Sequence, residues 1–146
     1  MDLNRLKKEA VLQGKPLQFK YEETPNSEHP GLVSKMSFRR SSDGKERTDW
    51  QVLMEGVIVT DFAYIFRPDP VTYYQLNVLD KTFSVWPDVY GKPGFFSDDL
   101  KGTVSDINYE EPDAHLFLIT ADYQEIPWKV RQMDSIPDDT DPQKGP

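Results

Sequence analysis

Two histidines, His29 and His115, and no cysteine set the chemical range of this chain. His29 lies between glutamate and proline in the polar stretch SEHPG, and His115 follows the acidic run EEPDA. Each reads as a surface or edge residue rather than a general base. Two imidazoles and no thiols cannot assemble the three or four His/Cys ligands of a zinc centre. The same absence removes disulfides and cysteine nucleophiles. There is no glycine-rich phosphate loop, no GxSxG and no HExxH. No catalytic residue, cofactor or metal is expected.

Carboxylates are the remaining chemical resource. Asp98, Asp99, Asp106, Glu110, Glu111, Asp113 and Asp122 fall within one acidic stretch. Such a group can bind a hard cation or supply the paired acids of a hydrolase, with Asp106 and Glu111 as the pair. Calcium loops place their oxygens at tight, regular spacing around a glycine, and EEPDA lacks that pattern. The plainer reading is a solvated acidic surface. Arg39, Arg40, Lys45 and Arg47 flank Asp43-Gly44 and form a weak basic cluster at the base of a hairpin, projecting to solvent. Arg39 and Arg40 are candidates for contact with an acidic partner, including the acidic half of a second copy.

The stretch TFSVWPDVYGKPGFFSDD (82–99) combines five aromatic rings with two prolines and two glycines. Phe83 and Val85 continue a strand alternation, and Trp86-Pro87 leaves it. The following dozen residues form a long loop for a compact domain. It either folds back as a plug over the domain or projects as a contact arm. In the second case Trp86, Tyr90, Phe95 and Phe96 are partner-contact anchors, the residue types that dominate binding hot spots.

The elements that must position these groups follow from periodicity. Leu3, Leu6, Ala10 and Val11 have helical spacing, Asp2 is the expected N-cap, and Gly14 and Pro16 end the helix. From Pro16 the period changes to 2. Strands are expected at 17–21, 32–39, 49–66, 71–79, 82–86, 102–109, 115–121 and 126–133. Asp43-Gly44 makes a hairpin turn, Gly56 marks a bulge or splits the long strand, and RPDP (67–70) ends it. Seven to eight strands without helical crossovers predict a mainly β fold, an antiparallel barrel or sandwich. The N-terminal helix (1–14) belongs to a single domain spanning 1–133. The acidic, proline-rich residues 134–146 read as a disordered tail.

A net charge of −8 and a pI near 4.7 disfavour a phosphate-backbone binder, so nucleic acid is not an expected partner. Charge is unevenly placed: residues 1–48 hold ten Lys/Arg against seven Asp/Glu, and residues 49–146 hold seven against eighteen. Such polarity can orient like subunits head to tail. No apolar run has the length of a membrane span, and the N-terminus lacks a secretory h-region, so a cytoplasmic location away from membranes is expected. The sequence reading is a non-enzymatic structural or adaptor protein, acting through contacts with a protein partner or with itself as a homo-oligomer. Small β-barrels joined into rings in phage or virus particles share this general architecture. The alternatives are a small-ligand-binding barrel, with Tyr73, Tyr74, Trp86 and Trp128 lining its cavity, and a carboxylate-based hydrolase.

Overall fold

The computed structural model describes residues 3–23, 31–86 and 102–128. Asp2, Tyr90, Phe95, Phe96 and the tail 134–146 lie outside them. The chain begins with helix α1 (Leu3–Gln13), followed by strands β1 (Leu17–Glu23), β2 (Leu32–Arg40), β3 (Glu46–Met54), β4 (Val57–Pro68), β5 (Val71–Asn77), β6 (Thr82–Val85), β7 (Thr103–Asn108) and β8 (Gln124–Glu125), with a 3-10 turn at Ala114–Phe117 between the last two. The eight strands of the described residues join one sheet in the order β7-β1-β2-β3-β4-β5-β6-β8. The fold is therefore mainly β, as the alternation requires. The expected antiparallel barrel or sandwich is replaced by a single mixed sheet that is not closed. Its β6–β8 pair is parallel, Thr82 opposite Gln124 and Phe83 opposite Glu125.

Sheet geometry follows from local signals. Gly14 takes φ +63°, which an L-residue tolerates poorly, and the Lys15 amide donates back to the Ala10 carbonyl to close the helix. Glu55 and Gly56 both have positive φ, and Met54 pairs with Val57 around them. Gly56 thus splits the long strand into β3 and β4 through a two-residue turn, as such a pair of backbone angles demands. Asp106 also has positive φ, at the point where the β1–β7 register shifts between Gln18 and Lys20. That bulge lets Val104 and Ile107, three residues apart, both pack on the core below.

The two expected C-terminal strands form differently. In HLFLITA the Asp113 side chain accepts from the His115 amide, and the Leu116 and Leu118 amides turn back to the carbonyls of Asp113 and His115. Local capping thus wins over alternation, and the segment becomes a 3-10 turn. Leu116, Phe117 and Ile119 all pack on the core while Leu118 between them is exposed, a pattern that strict strand alternation cannot produce. In the second segment the described residues 126–128 carry no strand, and β8 precedes them.

Antiparallel pairing places opposed residues on the same face. One row runs Phe19, Phe38, Thr48, Tyr64, Gln75, Ser84, and its face receives α1 at the β1–β2 end. Leu3, Ala10, Leu17, Phe19, Tyr21, Met36 and Phe38 form the core there, with Phe19 and Phe38 stacked at 5.1 Å. Leu6 packs against this core, but Val11 is exposed, so the helical stripe follows positions 3, 6 and 10. The opposite face has its own core under the 3-10 turn: Ala63, Ile65, Leu76 and Phe117. The two covers therefore sit on opposite faces of the sheet.

Charge fixes both covers. The buried Glu46 carboxylate lies 3.1 Å from Lys7 of α1 and 3.9 Å from Arg40 Nε. Arg40 also donates to the carbonyls of Lys15 and Ser41, tying the helix exit to the end of β2. On the other face, Arg47 donates to the Leu116 carbonyl at 3.0 Å and Arg67 to the Phe117 carbonyl at 2.8 Å. Removing one partner of a buried ion pair leaves an uncompensated charge and costs about 3 kcal/mol or more. Arg40→Ala is accordingly expected to lower unfolding free energy by about that amount in urea melts, whereas Arg39→Ala, on the more open face, changes it by less than about 1 kcal/mol. Equal effects would contradict this assignment of the two neighbours.

Candidate functional site

Adjacent strand residues point to opposite faces, so Arg39 and Arg40 do not act together. Arg40 is 7% exposed and belongs to the helix interface, which corrects the expectation that it projects to solvent. Arg39 is on the opposite face. There β7, β1, β2 and β3 leave an open groove of about 520 Å³, lined in its charged part by Lys20, Glu22, Lys35, Arg39, Arg47 and Asp49. No described element covers this half of the face.

The groove is polar because the alternation of β1 and β2 puts Gln18, Lys20, Glu22 and Lys35, Ser37, Arg39 on the side away from α1. Its floor is a knot of two guanidinium groups on one carboxylate. Asp49 accepts from Arg39 at 3.1 Å and from Arg47 at 2.9 Å. Nearer the rim, Lys35 lies 3.5 Å from Glu22 and Lys20 3.7 Å from Asp106. In the lining itself four cations, Lys20, Lys35, Arg39 and Arg47, meet two carboxylates, Glu22 and Asp49, a local surplus of positive charge on an otherwise acidic protein, with Asp106 and Asp61 at its edges. The half-buried Arg39–Asp49–Arg47 group is held more tightly than the rim pairs, whose exposed charges are screened by water and salt. Beside it, Gln51 donates to Asp61 at 3.1 Å, and burial pushes the Asp61 carboxyl above the usual carboxylate range against that hydrogen bond.

The acidic stretch resolves into separate structural duties. Asp106 pairs with Lys20 at the bulge, and Glu111 accepts from the Ser42 amide, joining the loop to the β2–β3 turn. Asp113 caps the 3-10 turn, and hydrogen bonds from the His115 amide and ring hold its carboxyl below the usual range. Asp122 accepts from Thr120 and lies 3.4 Å from Lys81, and the Thr120 bond lowers its pKa. Among the described residues no three His, Cys, Asp or Glu are grouped to hold a metal ion. Asp98, Asp99 and His29 lie outside the described residues.

Trp86 stands at the end of β6, its amide bonded to the Tyr73 carbonyl and its ring 4.5 Å from that of Trp128. Tyr73 stacks with Phe66 at 4.8 Å on this face. Tyr74 is on the other face, under Arg67 and edge-on to Phe83. Tyr73 and Tyr74 therefore cannot line one cavity with both tryptophans. Tyr64, buried in the central row, has its phenol pushed up to about 12 by desolvation.

The groove itself was missed at the sequence level because Lys20, Lys35, Arg39 and Asp49 are distant in sequence and meet only through register. The alternating polar positions of β1 and β2 were the available signal. Among the described residues, no helix is long and apolar enough to cross a membrane. Comparison with known protein families, with curated proteins and with solved structures found no match to this chain.

Asp61 supplies a pH test. Its raised folded pKa means that the native state takes up the proton more readily than the unfolded chain. Ionised Asp61 therefore costs stability at neutral pH, and that cost vanishes below the unfolded carboxylate value of 3.8. Asp61→Asn keeps an acceptor for Gln51 and removes the charge. Urea melts are expected to show the variant more stable than wild type at pH 7, with the advantage shrinking as pH falls toward 3.8; an advantage constant with pH would contradict it.

Proposed function

We propose that this protein works by contact rather than by bond chemistry, as a structural or adaptor component that associates with acidic protein surfaces, a second copy of itself foremost. The observation that carries this reading is the open groove on β1–β3 with its surplus of positive charge. Its cations Lys20, Lys35, Arg39 and Arg47 all come from the basic first third of the chain, while residues 49–146 hold the acidic excess. A groove with a cationic surplus and a remainder with an acidic one favour a heterologous, head-to-tail contact between copies. Trp86, Tyr90, Phe95 and Phe96 are proposed as aromatic anchors of the same assembly, and large flat rings are the side chains that carry most contact energy. Arg40 is proposed to act indirectly, by holding β2 and α1 in register behind the groove. A particle-like ring or layer of copies is the architecture such a contact builds, and a cytoplasmic site of assembly fits the reading.

Sedimentation equilibrium tests it. Self-association is expected at low ionic strength and is expected to weaken as salt shortens the range of charge attraction to about 8 Å near physiological strength. Lys35→Glu combined with Arg39→Gln leaves Arg47 and its carbonyl bond intact, and is expected to abolish association with little change in urea stability. A monomer at all concentrations and salts, or association untouched by this pair, would overturn the reading.

A further inference from the structure

The far end of the sheet holds a second, smaller feature on the α1 side, away from the groove and independent of it. Beneath the β5–β6 turn lies a cavity of about 210 Å³ lined by Phe62, Gln75, Asn77, Asp80, Ser84 and Ile126, among others. Register explains the grouping: Phe62, Asn77 and Thr82 form one cross-strand row, and Gln75 and Ser84 the next. Gln75 is 4% exposed, and its side-chain oxygen is buried without a hydrogen-bond partner. A buried acceptor without a donor is destabilising, so a group that donates to Gln75 Oε1 gains a hydrogen bond that water does not compete for freely.

The rest of the lining says what kind of donor fits. The Asp80 amide donates to Asn77 Oδ1, and Asn77 Nδ2 donates to Asp80 Oδ2 at 3.0 Å, which fixes the carboxylate at the cavity wall. Among the described residues no cationic side chain lines the space. The nearest lysine in sequence, Lys81, is engaged with Asp122 and lies over the Tyr123 ring. A neighbouring cavity of about 390 Å³ shares Phe62, Asn77 and Asp80 with it, so Asp80 is the carboxylate common to both. The walls thus combine an unpaired amide oxygen, carboxylate, hydroxyl groups and an aromatic ring. A single carboxylate gives little of the negative charge that calcium sites gather around the ion. A volume near 210 Å³ is below the roughly 300 Å³ of drug-sized sites.

We infer that the cavity under the β5–β6 turn binds a small organic ammonium ion, its N–H groups donating to Gln75 Oε1 and the Asp80 carboxylate and its alkyl part lying against Phe62 and Ile126. Titration of the full chain with methylammonium chloride, followed by amide NMR, tests this against sodium chloride and sodium acetate at equal ionic strength. Saturating shifts are expected at Gln75, Asn77, Asp80, Ser84 and Ile126 with methylammonium alone. Asp80→Asn is expected to weaken binding about three- to fivefold, as loss of an exposed charge partner does, and Gln75→Leu about tenfold or more. Asp80 is exposed, so its variant carries the test even where Gln75→Leu fails to fold. The same shifts from sodium ions or from acetate, or undiminished binding in Asp80→Asn, would overturn the inference and leave the cavity to water.

Discussion

A single wide sheet has two faces to shield from water, and the described residues bring little with which to do it. One helix of 11 residues and one short 3-10 turn are the described covers, and they sit on opposite faces. Each is fastened by buried or half-buried charge: Lys7 and Arg40 on Glu46 for the helix, Arg47 and Arg67 on the Leu116 and Phe117 carbonyls for the turn. Hydrogen bonds to charged groups are among the stronger individual contributions to stability, about 1.5–3 kcal/mol each. Without these clamps neither cover has a defined place, and neither core closes.

This division of cover decides where the molecule remains open. The β4–β6 half of the sheet is buried on both sides, with Tyr64 and Ser84 on one face and Ile65 and Leu76 on the other. Among the described residues the β1–β3 half is covered only by α1, and its other face is built from residues that tolerate water. Arg47 links the two halves, since the same guanidinium binds Asp49 in the groove and the carbonyl that seats the 3-10 turn. A partner that competes for Asp49 or Arg39 thereby touches a group on which the second core depends.

Much of the fold was legible in the sequence because its signals were local. The Asp43-Gly44 turn, the Gly14 stop and the split at Gly56 were set by backbone angles that few residues adopt, and the alternation of β1 and β2 separated buried from polar positions correctly. The failures were cooperative. Asp113 capping turned HLFLITA into a 3-10 turn, and two arginines far away in sequence trapped its carbonyls. Arg40 looked like half of a basic pair, yet strand alternation sent it into the helix interface. The groove and the Gln75 cavity were illegible for the same reason: cross-strand register, which no single segment encodes, brings their residues together.

Whether the uncovered half-face is the working surface can be read most directly by mapping concentration-dependent NMR shifts of the unmodified protein at low ionic strength. The account requires the changes to gather on Lys20, Lys35, Ser37, Arg39, Gln51 and Ser105 and to disappear in high salt. Shifts confined to α1 or to the 3-10 turn, or none at any concentration, would contradict it.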